Sequence, residues 1–282
     1  MAGDRNNRTH KPMGLSKGDA GTFDYAHGSV GDSVLGSNGP ESMLRWIQPE
    51  PEIDLTERCV ELAKRKSIDL LWKTASIEVR GLTFPDTRDV FNGITPGSAK
   101  ARNVRILNNL KHAWQFMFDN AEWPVDWQYL SEYNRLITES VEPGEGVLRN
   151  EIVTIGGTEY VPPVPIFGDV QTQLNRDLHQ HNPEDRALNL FASISRGQWF
   201  ANGNKRTSAM AANHSLIHDG VGVFALPPEK VETEFKDRLL EYYESNERGP
   251  FVKWLKYHAV GHLEDQGLTR AQMDGVDAIS AE

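Results

Sequence analysis

Between Asp54 and Leu263 the apolar residues return every three or four positions, with a single interruption, and that periodicity confines the chain to a mainly α fold. Leu55, Val60, Leu62, Ala63, Ile68, Leu71, Trp72 and Ile77 predict helix over 54–78, which Gly81 and Pro85 end. Another helix begins near Asp86. The stretch from Ala99 to Phe118 predicts a long helix with Val104, Leu107, Leu110, Ala113, Trp114 and Met117 inward. Its aromatic residues therefore read as core and not as a base-stacking platform. Pro124 stands near the start of a helix through Trp127, Leu130, Tyr133, Leu136 and Ile137. Further helices are expected over 170–179, 185–195, 207–217, 228–245 and 250–263, with Glu184 and Asp185 placed to complement a helix dipole.

The interruption lies between Arg149 and Val161. Ile152, Val153, Thr154, Ile155, Tyr160 and Val161 flank Gly156-Gly157, a two-residue hairpin signal that Pro162-Pro163-Val164-Pro165 closes. Residues 1–50 are rich in Gly, Asn, Ser and Asp and lack a period, so they are expected to form a flexible arm. Phe23-Asp24-Tyr25 and Met43-Leu44-Arg45-Trp46-Ile47 are its only clusters suited to local docking. The chain thus divides into that arm, N-terminal helices over 51–98, a core domain over 99–265 and a weakly patterned tail over 266–282 that is expected to fray.

Composition removes several classes of function. Forty acidic against thirty basic residues, a net charge of −10, argue against a sequence-independent nucleic-acid binder, which needs a basic face. Cys59 is the only cysteine, so neither an intrachain disulfide nor a thiolate zinc cluster can form. With no membrane-length apolar run and no leader pattern, a cytoplasmic protein is expected. His214 and His218 have the spacing of metal ligands on one helix face, but a structural pair is the expectation. His179 and His181 lie ahead of the next motif.

That motif is Gln198-Trp199-Phe200-Ala201-Asn202-Gly203-Asn204-Lys205-Arg206, a loop between two helical runs. A glycine-bearing loop that opens a helix can direct several N–H groups and the helix dipole at one anion. Lys205 and Arg206 add two cations there, so a nucleotide polyphosphate is the natural occupant.

The segment resembles the signature of the Fic/Doc (Fido) family, His-x-Phe-x-(Asp/Glu)-Gly-Asn-Gly-Arg-x-x-Arg. Phe200, Gly203, Asn204 and Arg206 match it, and the Asn-Lys-Arg ending is similar to the Doc branch. The resemblance implies a Fic-type helical bundle with a small β-hairpin flap, a bacterial source, and ATP or a related nucleotide as donor. It places Phe200, Gly203, Asn204, Lys205 and Arg206 around the nucleotide and Ile152 to Val161 in a flap that holds a target protein by strand pairing. An ordinary hairpin closing over the core is the alternative for that segment. In such enzymes the signature His takes a proton from a target hydroxyl as it attacks ATP. The acid helps to hold Mg²⁺, and the last Arg contacts the γ-phosphate.

Here Gln198 stands at the His, Asn202 at the acid and Ala209 at the last Arg. An amide can hydrogen-bond a hydroxyl but has no lone pair basic enough to deprotonate it, and Asn202 is at best a weak Mg²⁺ ligand. Thr74-Ala75-Ser76-Ile77-Glu78 resembles the family's inhibitory pattern, (Ser/Thr)-x-x-x-Glu-(Gly/Asn), with Val79 at the final position. Its Glu ordinarily pairs with the last signature Arg. Without that Arg, Glu78 can reach Arg206 or Lys205, or the helix is scaffold only. Three readings stay open: a transferase of AMP or phosphate lacking its general base, a catalytically silent module that binds a nucleotide or a protein, and a purely structural helical domain whose loop binds nothing. No sequence feature bears on the oligomeric state.

Overall fold

A computed structural model describes residues 54–97 and 100–280 of the chain. The arm expected over 1–50, with its two aromatic clusters, lies outside the described residues. In chain order the elements are α1 (Leu55–Arg65), α2 (Ser67–Ser76), α3 (Phe84–Phe91), α4 (Ala101–Phe118), α5 (Trp127–Thr138), α6 (Phe167–Leu178), α7 (Pro183–Gly197) and α8 (Asn204–His218). Strand β1 (Gly222–Phe224) follows. A helical run over 228–245 comes next, made of Pro228–Lys230, the π-turn Val231–Phe235 and Lys236–Ser245. Helix Arg248–Ala259, strand β2 (Val260–His262) and helix Arg270–Ser280 complete the fold.

The helix starts follow from capping chemistry. Asp54, Thr83, Asp126 and Asn182 each accept a backbone N–H of the first turn they precede, and Pro183 occupies the first position of α7. The helix expected over 54–78 is broken in two at Lys66. There the Ser67 hydroxyl takes the carbonyl of Lys64 at 2.6 Å, competing with the backbone ladder.

Helix α8 is the axis of the bundle. It packs against α7, α5, α4, α1, α2 and β1, and nearly all of its residues are buried. Ala209, Ala211, Ala212, Ser208 and Ser215 keep its girth small, so neighbours approach closely. Two of its polar members tie neighbouring elements to it. Asn213 accepts the N–H of Phe224 at 2.8 Å and donates to its carbonyl at 3.0 Å, which ties β1 to the axis. Ser208 meets the Ser195 hydroxyl at 3.0 Å. Three apolar clusters surround this axis: one among α1, α2, α4 and α5, one joining α7 and α8 to the C-terminal helices, and one around Trp199 and Phe200.

The β structure departs from expectation. Residues 156 and 157 do form a turn, yet 152–155 and 158–161 are not joined by a backbone ladder among the described residues. The flanking segments are held by side chains instead. The sheet that exists pairs β1 with β2 antiparallel, Val223 opposite Gly261. Three-residue strands are too short to print a period of two. Their fit depends on glycine: a Cβ at Gly222, φ 152°, would lie 2.0 Å from the Gly261 carbonyl oxygen. The tail expected to fray instead carries helix Arg270–Ser280, and Tyr257 hydrogen-bonds Asp274 in it. No helix among the described residues is long and apolar enough to cross a membrane.

His214 is structural, as expected. Its Nε2 donates to the Trp123 carbonyl at 2.9 Å, so Nδ1 accepts from the Tyr133 hydroxyl at 2.8 Å. His218 bonds the Ala121 carbonyl instead, and no group of three His, Cys, Asp or Glu among the described residues suits a metal. Burial lowers the His214 pKa from 6.5 to about 4. As pH falls below about 6.5, the unfolded chain takes up a proton that the native ring refuses, and this loss levels off below about 4. Wild type should therefore lose about 2–3 kcal/mol through this group between pH 7 and pH 4.5 in urea unfolding. His214→Gln should be less stable at pH 7 but have a flatter profile. An unchanged slope would rule out His214 as the cause.

Candidate active site

Helix α7 ends at Gly197, and the chain turns through two left-handed residues, Gln198 at φ 45° and Gly203 at φ 71°, before α8 begins. Asn204 staples this loop. Its Oδ1 accepts the Phe200 N–H at 2.9 Å, and its Nδ2 donates to the Phe200 carbonyl at 2.8 Å and the Gln198 Oε1 at 3.1 Å. Phe200 is fully buried and stacks on Trp127 with centroids 5.5 Å apart. Burying a ring of that size stabilises by roughly 1.5–3 kcal/mol, so Phe200 anchors the loop in the core and does not face the cavity. From the other side, buried Asn134 donates to the Asn202 carbonyl at 2.8 Å and the Thr207 hydroxyl at 3.1 Å. Gly203 is favoured by its left-handed φ, and a Cβ there would sit tightly, 3.0 Å from Thr138 Cγ2.

Arg149, 5% exposed, joins the loop to the segment expected as a flap. It donates to the carbonyls of Gln198 at 2.5 Å, Glu151 at 2.6 Å and Pro163 at 2.5 Å. Within that segment Ile152 and Val161 are exposed, while Thr154 and Ile155 line a cavity of about 930 Å³. Its far end rests on the 228–245 run, where Glu244 accepts the Glu159 N–H at 2.7 Å and the Thr158 hydroxyl. Tyr160 packs its ring 3.9 Å beneath the Arg196 guanidinium.

Arg206 dominates the cavity floor. The side chain is 1% exposed, its Nε bonded to Glu78 and its Nη2 to Glu142 Oε2 at 2.5 Å. Its Nη1 is buried without a partner. Burial alone lowers the guanidinium pKa, but the Glu78 and Glu142 carboxylates outweigh it and leave the group raised and charged. Lys205 Nζ stands 3.9 Å from Glu78 Oε1, and Arg102 from α4 bonds the other oxygen of Glu142. Of the two expected inhibitory residues, only Glu78 reaches the site. Thr74 is buried in α2 and donates to the Leu70 carbonyl at 2.7 Å.

The side chain at the head of the loop is not placed as a general base. Gln198 is tied at both ends of its amide, Nε2 donating to the Ser195 carbonyl at 2.6 Å and Oε1 accepting from Asn204. Burial pushes the Tyr243 phenol well above its ordinary range. No histidine lines the cavity among the described residues. The donors do not suit Mg²⁺ either. Asn202 spends its Nδ2 on the Pro143 carbonyl at 2.9 Å and retains one neutral amide oxygen, while Glu78 and Glu142 are both engaged by cations.

Glu142, Arg102, Arg149 and Asn134 escape sequence reasoning because each lies dozens of residues from the loop and in no recognisable pattern. If Arg206 depends on both carboxylates, a Glu78→Ala/Glu142→Ala variant leaves a buried charge unpaired. It should lose roughly 3 kcal/mol or more in urea unfolding, partly restored by added phosphate. Full wild-type stability would show that neither carboxylate is needed.

Residues 124–216 match the family model described as Fic/DOC family. Among solved structures, the chain is similar to Fic-1 from C. elegans, with a TM-score of 0.61 and 18% identity over 81% of this chain and 70% of that one. It is similar also to a Fic domain containing signaling protein from Bacteroides thetaiotaomicron, with a TM-score of 0.58 and 18% identity over 71% and 84%. A Fic family protein from Desulfovibrio desulfuricans gives 0.54 and 15% over 79% and 74%. No curated protein sequence matches.

Proposed function

We propose, on the premise that residues 124–216 of this chain belong to the Fic/DOC family, that it binds the phosphate chain of an ATP-like nucleotide at the Gly203–Arg206 loop. One observation carries the reading: a buried arginine at the start of α8, open to a large cavity, retains an unpartnered nitrogen. Its other two nitrogens hold carboxylate oxygens of the protein itself. Such a cradle suits phosphate oxygens, which match a guanidinium bidentately. Glu78 occupies it as a built-in competitor and has to withdraw as the nucleotide enters. The cytoplasm, where ATP is abundant, is the setting this function requires. A target protein docks along the exposed Ile152 and Val161 edge of the 151–163 segment, which brings its hydroxyl towards the donor phosphate.

Transfer of AMP with release of pyrophosphate, or of the γ-phosphate with release of ADP, proceeds to that hydroxyl without a general base, the hydroxyl proton passing to water. The penalty is roughly a hundred- to ten-thousand-fold, against which positioning by the loop still counts. A second reading has its own support. Because both ends of the Gln198 amide are tied, the residue acts as a structural strut, which suits a silent nucleotide-binding module.

Calorimetry with ATP tests the shared element. Glu78→Gly should bind at least about tenfold more tightly than wild type, the equivalent of one charge-assisted contact, and Arg206→Ala should abolish binding. If neither wild type nor Glu78→Gly binds, the reading is wrong. ATP labelled at the α or γ position then divides the two functions: label passing to protein and lost in Arg206→Ala supports transfer, and none from either position supports the silent module.

A further inference from the structure

We infer that the Gly203–Arg206 cradle takes a phosphate chain free of divalent metal, with the side chains of Lys205 and Arg102 neutralising it in the ion's place. The inference rests on the phosphate-binding reading above and specifies the ionic form of the ligand. Arg102, Lys205 and Arg206 pair with Glu78 and Glu142 beside the loop, in a cavity whose lining also carries Arg80 and Lys236 with Glu232 and Asp237. Once Glu78 withdraws, the three cations of that group keep one paired carboxylate, Glu142. Glu142 is not available as a metal ligand, because each of its oxygens accepts from a different guanidinium, Oε1 from Arg102 and Oε2 from Arg206. A dication brought to Glu142 would displace those bonds and be repelled by both arginines.

Asn202, beside this clip, offers no charged oxygen, and its nitrogen is committed to the carbonyl of Pro143, the neighbour of Glu142. A hard dication favours several charged or carbonyl oxygens, and the described residues provide no cluster of that kind. A bare polyphosphate, by contrast, gains at every point. Its oxygens satisfy the orphaned Arg206 Nη1 and replace the Glu78 carboxylate on Nε. Lys205 and Arg102 are 33% and 57% exposed and can extend to the rest of the chain. Mg²⁺ on the nucleotide would lower its negative charge and occupy oxygens these side chains use.

The test titrates ADP, which carries no γ-phosphate to hydrolyse, into the full-length Glu78→Gly protein with EDTA or with saturating Mg²⁺. The expected result is binding in EDTA that Mg²⁺ leaves unchanged or weakens. Lys205→Ala in that background should lose about tenfold in EDTA, the value of one charge-assisted contact. Tighter binding with Mg²⁺, or no effect of either Lys205→Ala or Arg102→Ala in EDTA, overturns this inference and leaves nucleotide binding intact. Absence of ADP and ATP binding under both conditions overturns the phosphate-binding reading with it.

Discussion

A positive charge sits almost entirely out of water at the head of the central helix, and the architecture around it is the means of keeping it there. Arg206 is tolerable because Glu78 arrives from the turn after α2 and Glu142 from the loop after α5. An isolated buried ion costs several kcal/mol, so these elements cannot move apart independently of the charge between them. The same constraint gives the loop its chemistry. A guanidinium this deeply buried needs anionic company, and the protein's own carboxylates supply it.

The helical frame was largely legible because helix burial leaves a period in sequence, and the capped starts of α1, α5 and α7 bear their signals openly. Helix α8 is the instructive exception. It is buried on nearly every face, so no polar side alternates with an apolar one. Its helical state over 207–217 was expected, but the partners of its polar residues were not legible: Asn213 bonds β1, and His214 sits between Tyr133 and Trp123. The loop was legible through its residue types, and the meeting of Glu78 with Arg206 was one of the alternatives the sequence left open. Glu142 was not, since nothing local distinguishes it from other acidic residues in a strongly acidic chain. The expected hairpin failed for a related reason: alternating residues around Gly156-Gly157 describe an extended strap equally well, and side-chain anchors decide between strap and ladder.

Three residues, Gln198 and Asn202 in the loop and Ala209 in α8, have a common structural outcome. Gln198 ties its amide to the backbone and to Asn204, and Asn202 ties its own to Pro143. Ala209 vanishes into the core against α7. All three side chains are thus parts of the scaffold, and Asn134 braces the loop from behind through the Asn202 carbonyl and the Thr207 hydroxyl.

Arg149 also governs how force would travel. One guanidinium grips Glu151 and Pro163, the two feet of the strap, together with Gln198 at the bend of the loop. The strap therefore has no slack at its base. Its tip is moored by Glu244, by the Tyr160–Arg196 stack and by the packing of Ile155 and Tyr160 against the core. A tug on the tip must first slip those moorings and then load the base, where the taut member is the left-handed bend itself. The molecule is rigged like a lever whose fulcrum is a single buried side chain, so the strap and the bend between α7 and α8 are mechanically connected.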